Sequence, residues 1–257
     1  MCKTIISGFV SVKSVIEAKS RKIYRIFIEK ERYDSVMRSN LRIPEQRQYK
    51  ALTESGIDCE FYNKDEFSAL VANEGSGGIA AEVGERIFKN ADGLSSLKGS
   101  YIAMLDGIED PFNFAYSLRS LYAAGVDAVI LPERNFFTAS EIVIRSSAGA
   151  SELLNIYCVP DLAQAVKQLK NSGYTIISTA KTDKAKDLYK VRVSRPLCLI
   201  FGGEKRGIKK EIIDLSDITV KLKYPRDCHY SLPACSAVSV ISFEIAKKLS
   251  DTGRPAK

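Results

Sequence analysis

Short apolar runs alternate with helix-like segments throughout the second half of the sequence, and this alternation constrains the fold more than any other feature. The strand candidates are Tyr101–Leu105, Ala128–Leu131, Asn155–Val159, Thr175–Ser178, Leu197–Phe201 and Ile218–Leu222. The helical stretches, in which apolar residues recur at helical spacing, are Asn113–Ala124, Ala139–Ala148, Asp161–Asn171 and about Ser231 to Leu249. Alternating strands and helices of this kind predict a mostly parallel sheet that is covered by helices on both faces.

The first half shows a less regular pattern. Its helix-like segments are Val12–Ala18 and a long polar stretch, Arg32–Ser55, which is interrupted at Pro44. Its strand candidates are Tyr24–Ile28, Asp58–Tyr62 and Gly78–Val83. The loop Asn73–Gly78 and the polar segment Lys89–Ser100 are rich in glycine and serine, as is typical of loops and linkers. We therefore predict a small α/β domain over residues 1–90, a linker over residues 91–100 and a larger α/β domain over residues 101–257.

The net charge of +7 is distributed unevenly along the chain. The first fifty residues carry 12 Lys and Arg against 5 Asp and Glu, whereas residues 51–97 carry 3 against 9. Basic surface of this kind suits contact with the phosphate backbone of a nucleic acid, although solvated protein faces have the same composition. Charge alone therefore does not distinguish a nucleic-acid partner from an ordinary charged protein surface.

Cysteine and histidine usage argues against a metal site. The scattered cysteines, none of them in a Cys-x-x-Cys pair, are Cys2, Cys59, Cys158, Cys198, Cys228 and Cys235. His229 is the single histidine, so we expect a reduced, cytoplasmic protein that holds no metal. No apolar run approaches the roughly 20 residues that span a bilayer, and the amino terminus lacks the apolar segment of a secretory signal. We therefore expect neither a membrane partner nor export.

Ligands of parallel α/β sheets bind at the loops that follow the strands, and three such loops carry informative residues. The first, Asp106–Asn113, leads into a helix that carries Arg119. Asn113 is a candidate N-cap for that helix. Arg119 is a candidate for a functional cation or for a structural ion pair.

The second loop, Gly202–Ile208, comes directly after the strand candidate Leu197–Phe201. Glycines in this position let a ligand approach the backbone, and Glu204 is placed to orient a polar group. The structural alternative is a strand-to-helix turn with a surface ion pair. The loop has no Gly-x-Gly-x-x-Gly fingerprint and the chain has no Gly-Lys-Ser/Thr phosphate loop, which disfavours a dinucleotide or nucleoside triphosphate site.

The third loop is Lys223–Pro233. Ser231 is a candidate N-cap for the last helix, with Pro233 inside the first turn, where proline is tolerated. His229 is a candidate general base, but a lone histidine beside aromatic residues is more often structural.

In their order and spacing, these segments resemble the SpoU, or TrmH-like, family of RNA ribose 2′-O-methyltransferases, which belongs to the trefoil-knotted class. The resemblance covers residues 98–249. Asp110-Pro111-Phe112-Asn113 followed by Arg119 is similar to the family's first motif, and Phe201–Ile208 is similar to its second. Ser231-Leu232 before a long apolar helix resembles the third.

Two further segments resemble parts of the same family. Ser147-Ala148-Gly149-Ala150 is similar to a segment that is common between the first two motifs. The opening Gly8–Ile16 and the later Gly77–Val83 resemble the small amino-terminal RNA-binding domain of many members.

The resemblance implies a knotted domain whose loops hold S-adenosyl-L-methionine. By position, the cofactor contacts would come from Gly202, Gly203, Leu222, Tyr224, Leu232 and Thr179, with the register between Leu222 and Ser231 left open. The family's functional polar positions match Arg119, Asn113, Glu204 and Ser231. The resemblance also implies an RNA substrate, with ribosomal RNA favoured over transfer RNA, a homodimer, and no DNA partner.

The chain departs from the family at one position. Pro233 stands where the third motif usually has Asn, and proline has no N–H to donate. The resemblance and this departure together leave two alternative functions. The chain is an S-adenosylmethionine-dependent RNA 2′-O-methyltransferase, or it is an RNA-binding knotted protein with weak or lost methylation. An unrelated α/β enzyme with a nucleotide cofactor is disfavoured, because no phosphate loop is visible.

Overall fold

The computed structural model describes residues 3–39, 43–71, 74–133, 140–227 and 229–251. Its strands are β1 (Thr4–Ser7), β2 (Ile23–Glu29), β3 (Cys59–Tyr62), β4 (Ile79–Val83), β5 (Tyr101–Asp106), β6 (Ala128–Pro132), β7 (Asn155–Val159), β8 (Thr175–Thr179), β9 (Lys186–Asp187), β10 (Leu197–Gly202) and β11 (Ile218–Lys221). Its α-helices are α1 (Phe9–Ala18), α2 (Lys30–Arg38), α3 (Pro44–Thr53), α4 (Lys64–Leu70), α5 (Pro111–Ala123), α6 (Ser140–Ser146), α7 (Ala150–Leu153), α8 (Leu162–Asn171), α9 (Lys210–Leu215) and α10 (Ala234–Asp251). Short 3₁₀ helices cover Glu74–Ser76, Ala91–Ser96 and Leu188–Lys190. Cys2, Asn73, Ala139 and Cys228, which the sequence analysis singled out, lie outside the described residues.

The chain packs as two compact units. Unit 1 comprises residues 1–87 and 137–153, and unit 2 comprises residues 88–136 and 154–257. The described part of the second segment, residues 140–153, thus packs with unit 1, whereas the sequence prediction placed it in the second domain. The segment predicted as a linker contains the 3₁₀ helix at 91–96, whose Leu94 is buried in the core of unit 2. The domain boundaries at residues 90 and 100 stay predictions.

Unit 1 is built on a four-stranded sheet in the order β1-β4-β2-β3. β4 is antiparallel to both neighbours, and β2 and β3 are parallel. Successive residues of β2 face opposite sides, so Ile26 and Ile28 join one core cluster with Val12, while Phe27 packs with Phe67 on the other side. The strands predicted in this region are confirmed. β1 was not predicted, because four residues are too few for a periodic signal.

The predicted interruption of the polar helical stretch is also confirmed. The stretch forms α2 and α3, and Pro44 is the first residue of α3. Proline is tolerated at that position because the first N–H of a helix has no partner within the helix.

A buried ion cluster ties the segment 137–153 into unit 1. The Glu152 side chain is fully buried and accepts hydrogen bonds from Arg21 Nε (3.1 Å) and Ser20 Oγ (2.6 Å). Arg86 Nε lies 3.8 Å from the same carboxylate, with only 4% of its side chain exposed. The Glu152 carboxylate therefore offsets the charge of two buried guanidinium groups.

The Ser-Ala-Gly-Ala segment has a local structural role. Ala148 (φ 51°) and Gly149 (φ 81°) form a left-handed turn between α6 and α7. A Cβ at residue 149 would overlap the Ser14 side chain of α1. Glycine is therefore required where this turn packs against α1.

Unit 2 is built on a seven-stranded sheet in the order β7-β6-β5-β10-β8-β11-β9, and all its strand pairs are parallel. β5 and β10 lie side by side within it, and nearly every residue of both is buried. Burial on both faces explains why these strands are continuous apolar runs. The predicted mostly parallel sheet and its six predicted strands are confirmed. No described helix is long and apolar enough to cross a bilayer.

Candidate functional site

The carboxyl ends of β8, β10 and β11 open onto a cavity of about 390 Å³, here called the central cavity. Residues that follow the three strands form its walls, within 179–182, 202–208 and 220–224. The start of α10 and the residues before it, within 231–241, complete the lining. This is the edge of the sheet at which open α/β folds bind their ligands.

The central cavity brings together most of the site residues that the sequence analysis named. All the residues assigned to the cofactor line it: Thr179, Gly202, Gly203, Leu222, Tyr224 and Leu232. Glu204 and Ser231 line it as well. Asn113 and Glu204 lie on a neighbouring cavity of about 330 Å³, next to the loop that follows β5. Arg119 lines neither cavity.

Backbone packing explains the paired glycines after β10. The Gly203 N–H donates to the Asp106 carbonyl (2.9 Å), and the Gly207 N–H donates back to the Gly203 carbonyl (2.9 Å). A Cβ at Gly202 would overlap the backbone of Gly207, and a Cβ at Gly203 would overlap the carbonyl of Gly107. Any larger residue at either position must displace a main chain.

Asp106 is a site residue that the sequence analysis did not single out. It is only 4% exposed, and its carboxylate accepts a hydrogen bond from the Lys209 N–H (3.0 Å). Its side chain and its carbonyl thus hold both ends of the loop 203–209. The available signal was an acidic residue that ends an otherwise apolar strand.

We expect Gly203→Ala to lower the free energy of unfolding by roughly 1–3 kcal/mol, the usual cost of overpacking. The physical reason is the overlap of the new Cβ with the Gly107 carbonyl. Urea unfolding of the full chain measures the effect. Gly84→Ala is the matched control, because the nearest atom to its Cβ would lie at 3.5 Å. Equal unfolding free energies for the two variants would contradict the packing argument.

Glu204 connects the three loops. Its Oε1 accepts hydrogen bonds from Asn113 Nδ2 (3.0 Å) and from the Ala234 N–H (3.0 Å). Cys235 Sγ donates to Asn113 Oδ1 at 3.2 Å. Because the amide oxygen is engaged by a donor, the amide nitrogen is turned towards the carboxylate. We call Glu204, Asn113, Ala234 and Cys235 the Glu204 network.

Two predicted helix starts are wrong. Asn113 is not the N-cap of α5: Asp110 is, and its carboxylate accepts from the Asn113 N–H (2.8 Å), with Pro111 in the first helical position. α10 begins at Ala234 rather than at Ser231.

The second error has a tertiary cause. The Pro233 carbonyl accepts the first helical hydrogen bond, from Ala237 N–H (3.0 Å), so Pro233 precedes α10 instead of lying in its first turn. The carboxylate of Glu204 receives the N–H of Ala234 and caps the helix. Ser231 is left exposed in the preceding loop.

The loop before α10 is held by Tyr224. Its hydroxyl accepts a hydrogen bond from the Leu232 N–H (3.1 Å). Thr179, which also lines the cavity, donates from Oγ1 to the Ile200 carbonyl (2.9 Å). His229 is exposed and forms no hydrogen bond with any other described residue. Nothing in this geometry presents His229 to the central cavity.

Metal-binding groups are not clustered in the described ranges, where no three His, Cys, Asp or Glu side chains are arranged to hold an ion. Cys198 lies within β10, and burial raises the pKa of its thiol to about 12. That thiol is a packing group and not a nucleophile at neutral pH.

Residues 100–243, more than half of the chain, match the sequence model of the SpoU rRNA Methylase family. The chain belongs to this family. A relative from Staphylococcus aureus, described as a TrmH family tRNA/rRNA methyltransferase, is 32% identical over 166 residues. That match covers 64% of this chain and 64% of the relative, so the chain spans less than two thirds of the relative's length.

Two solved SpoU-type structures share the fold. One is the SpoU methyltransferase AviRb from Streptomyces viridochromogenes in complex with the cofactor AdoMet, with a TM-score of 0.76 and 16% identity. It covers 98% of this chain and 92% of its own. The other is an AdoMet-bound rRNA methyltransferase from Sinorhizobium meliloti, with a TM-score of 0.74, 18% identity, and coverage of 96% and 88%.

In this SpoU family member, Arg119 stands apart from the other predicted site residues. It is exposed on α5, and no described residue pairs with it. Tyr116 and Phe112, one and two turns before it, are 45% and 47% exposed. Helical spacing places these three side chains on one outward stripe of α5.

Proposed function

We propose that this chain is an RNA methyltransferase that transfers a methyl group from S-adenosylmethionine to a ribose 2′-hydroxyl, on a trefoil-knotted domain. One observation carries the proposal. Residues from four separate segments, which the resemblance to the SpoU family predicts as cofactor contacts, line a single cavity at the ligand-binding edge of the sheet. The AdoMet-bound relatives described above support the same cofactor.

The lining fits this methyl donor. The cavity volume of about 390 Å³ lies in the ordinary range of small-molecule sites. Ile208, Ile213 and Val220 offer an apolar wall for an adenine ring, and the backbone at Gly202 and Gly203 has no side chain to block a close approach. We assign these residues to the donor.

S-adenosylmethionine, when bound, supplies an activated methyl group together with its leaving group. The protein's own residues then have to align the RNA hydroxyl and stabilise charge. The Glu204 network fixes the start of α10 and the Asn113 amide beside the central cavity. Arg119 carries a permanent positive charge, so we assign it to orienting the RNA phosphate and stabilising the developing negative charge. The general base is left unassigned.

The second candidate function follows from Pro233. An RNA-binding protein with weak or lost methylation would keep the fold and lose the methyl donor or the transfer step. The Glu204 network weighs against it, because Ala234 N–H and Cys235 Sγ keep Glu204 and Asn113 hydrogen-bonded beside the proline. The site keeps its hydrogen bonds without an asparagine at position 233.

A two-part experiment separates these functions. Isothermal calorimetry of the full chain with S-adenosylmethionine measures donor binding, and radiolabelled donor measures methyl transfer to ribosomal and transfer RNA from cells lacking the gene. We expect saturable donor binding and label in ribosomal RNA, mapped to a 2′-O position that is unmodified without the gene. Binding of RNA without binding of the donor would favour the second function.

We also infer a homodimer, with a subunit interface on α5 and α10. The outward faces of these helices expose Phe112, Tyr116, Val240 and Phe243, although the two helices pack against each other on their inner faces. Apolar side chains in such numbers on one surface are typical of subunit interfaces. An exposed Arg119 on the same stripe of α5 then suits a role in the partner's site.

Phe243→Asp is expected to convert the dimer to a monomer, because a carboxylate would be desolvated at the interface. Sedimentation velocity over a range of concentrations gives the measurement. Ser250→Asp adds the same charge to the exposed end of α10 and is expected to leave the dimer unchanged. A wild-type chain that stays monomeric at high concentration would contradict the interface. Preference for ribosomal RNA and a cytoplasmic location stay predictions.

A further inference from the structure

Unit 1 contains a cavity of about 380 Å³ that the proposed methyl-transfer site does not use. It is lined by the start of α1 (Gly8 to Ser11), by Tyr49 of α3 and by the glycine-rich turn at residues 75–77. Arg32 of α2 and Arg145 of α6 complete the polar part of the lining. We call it the unit 1 cavity.

The glycine-rich turn makes room for both arginines. The Arg145 guanidinium lies against Gly75, where a Cβ would overlap Nη2. Arg32 lies against Gly78, where a Cβ would come within 2.9 Å of Cδ. These glycines therefore let two cationic side chains lie at one cavity.

Tyr49 holds the glycine-rich turn by a hydrogen bond. Its hydroxyl donates to the Gly77 carbonyl at 2.8 Å, and burial raises its pKa to about 12, against a smaller opposite effect of Arg32. The hydroxyl therefore stays protonated at neutral pH and remains a donor. The position of the turn is thus held by a part-buried hydrogen bond from Tyr49.

The chemistry of the lining suits a nucleotide. Neither guanidinium forms an ion pair with another described residue, and Glu45 is the one carboxylate among the described residues that line the cavity. Guanidinium groups bind phosphate oxygens in a two-pronged geometry. Phe9 adds an aromatic ring, and Val10 is 53% exposed beside it. Cations beside an aromatic ring are the usual means of binding single-stranded nucleic acid.

We propose that the unit 1 cavity binds one nucleotide of a single-stranded RNA segment, with Arg32 and Arg145 at the phosphate and Phe9 against the base. This rests on the proposed function and names a site in unit 1 that binds the RNA substrate in addition to the methyl-transfer site. A strand is favoured over a free nucleotide because the basic character extends beyond the cavity, with 12 Lys and Arg against 5 Asp and Glu in the first fifty residues.

Fluorescence anisotropy of the full chain with a labelled octauridylate RNA tests this. Arg145→Ala and Arg32→Ala are each expected to weaken binding about tenfold, as for a charged hydrogen bond, and to lower the salt slope by about 1. Arg38→Ala removes the same charge from the exposed end of α2, where 82% of the side chain is exposed. We expect it to change affinity less than twofold.

Gly75→Ala supplies a charge-neutral variant. Its backbone (φ −90°, ψ 20°) accepts alanine without strain, but the new Cβ displaces the Arg145 guanidinium. Weaker binding at unchanged net charge would therefore support a positioned guanidinium. Wild-type affinity in both Arg145→Ala and Gly75→Ala, or no binding of the octamer by the wild type, would overturn the proposal. Displacement of the octamer by uridine monophosphate at equal concentration would overturn the assignment to a strand.

The two proposals fail separately. S-adenosylmethionine titrated into Arg145→Ala should bind as it does in the wild type, because the donor is assigned to unit 2. Arginine-dependent RNA binding without donor binding would refute methyl transfer and support the unit 1 cavity. Methyl transfer that is unaffected by Arg32→Ala and Arg145→Ala at subsaturating RNA would refute the cavity and leave methyl transfer standing.

Discussion

Arg119→Ala is expected to lower the rate of methyl transfer by roughly 100- to 1,000-fold, the usual cost of losing one charge-stabilising group. The affinity for S-adenosylmethionine should stay near the wild-type value, because Arg119 does not line the central cavity. A guanidinium stays protonated, so its contribution is to hold the RNA phosphate and to stabilise charge as the methyl group moves. Single-turnover transfer with radiolabelled donor gives the rate, and calorimetry gives the affinity.

Arg192→Ala is the matched control, because it removes an exposed arginine from the same unit and lines neither cavity. Unchanged transfer in Arg119→Ala would remove Arg119 from the mechanism. Mixed dimers test whether it acts on the partner's site. If it does, co-expressed Arg119→Ala and Glu204→Ala chains restore one working site, in which the intact cavity of one chain meets the intact arginine of the other. If Arg119 serves its own chain, the mixed dimer is as inactive as either variant.

Glu152→Ala is expected to lower the free energy of unfolding by roughly 3–5 kcal/mol, as for other buried ion pairs that lose one partner. The carboxylate is fully buried, and its removal takes away the negative charge that lies 3.1 Å from Arg21 Nε and 3.8 Å from Arg86 Nε, in side chains that are only 2% and 4% exposed. The loss of a hydrogen-bond acceptor for Ser20 adds to the cost. Urea unfolding followed by circular dichroism gives the free energy.

Glu17→Ala is the control, because Glu17 pairs with Lys13 at 3.3 Å while both side chains are about half exposed. Exposed pairs of this kind contribute roughly 0–1 kcal/mol. A Glu152→Ala variant as stable as Glu17→Ala would show that the cluster does not hold residues 137–153 to unit 1. Glu152→Gln should recover part of the loss, since an amide oxygen still accepts hydrogen bonds but carries no charge.

The part of the candidate site that follows the strand ends could be predicted from the sequence. The glycines after β10 follow a continuous apolar run, and parallel strands place their carboxyl ends together. The cofactor positions Thr179, Leu222 and Tyr224 came from the resemblance to the family's motifs. The first residues of the helices were harder to predict from the sequence. Asp110 and Asn113 are both good N-caps, and only Pro111 in the first helical position distinguishes them. At α10 the cap comes from Glu204, thirty residues earlier, and no local pattern reports it.

Sequence alone determined the parallel α/β sheet and the order of its strands along the chain, because burial on both faces leaves a local signal, and the resemblance to the family's motifs supplied the residues predicted to contact the cofactor. Tertiary structure alone decided three things. It joined Asn113, Glu204 and Ala234, it assigned residues 137–153 to unit 1 through Glu152, and it gathered Arg32 and Arg145 on one glycine turn. Each of these three arrangements depends on groups that are far apart in the chain. Packing and charge compensation fix their pairing, and neither produces a periodic pattern in the sequence.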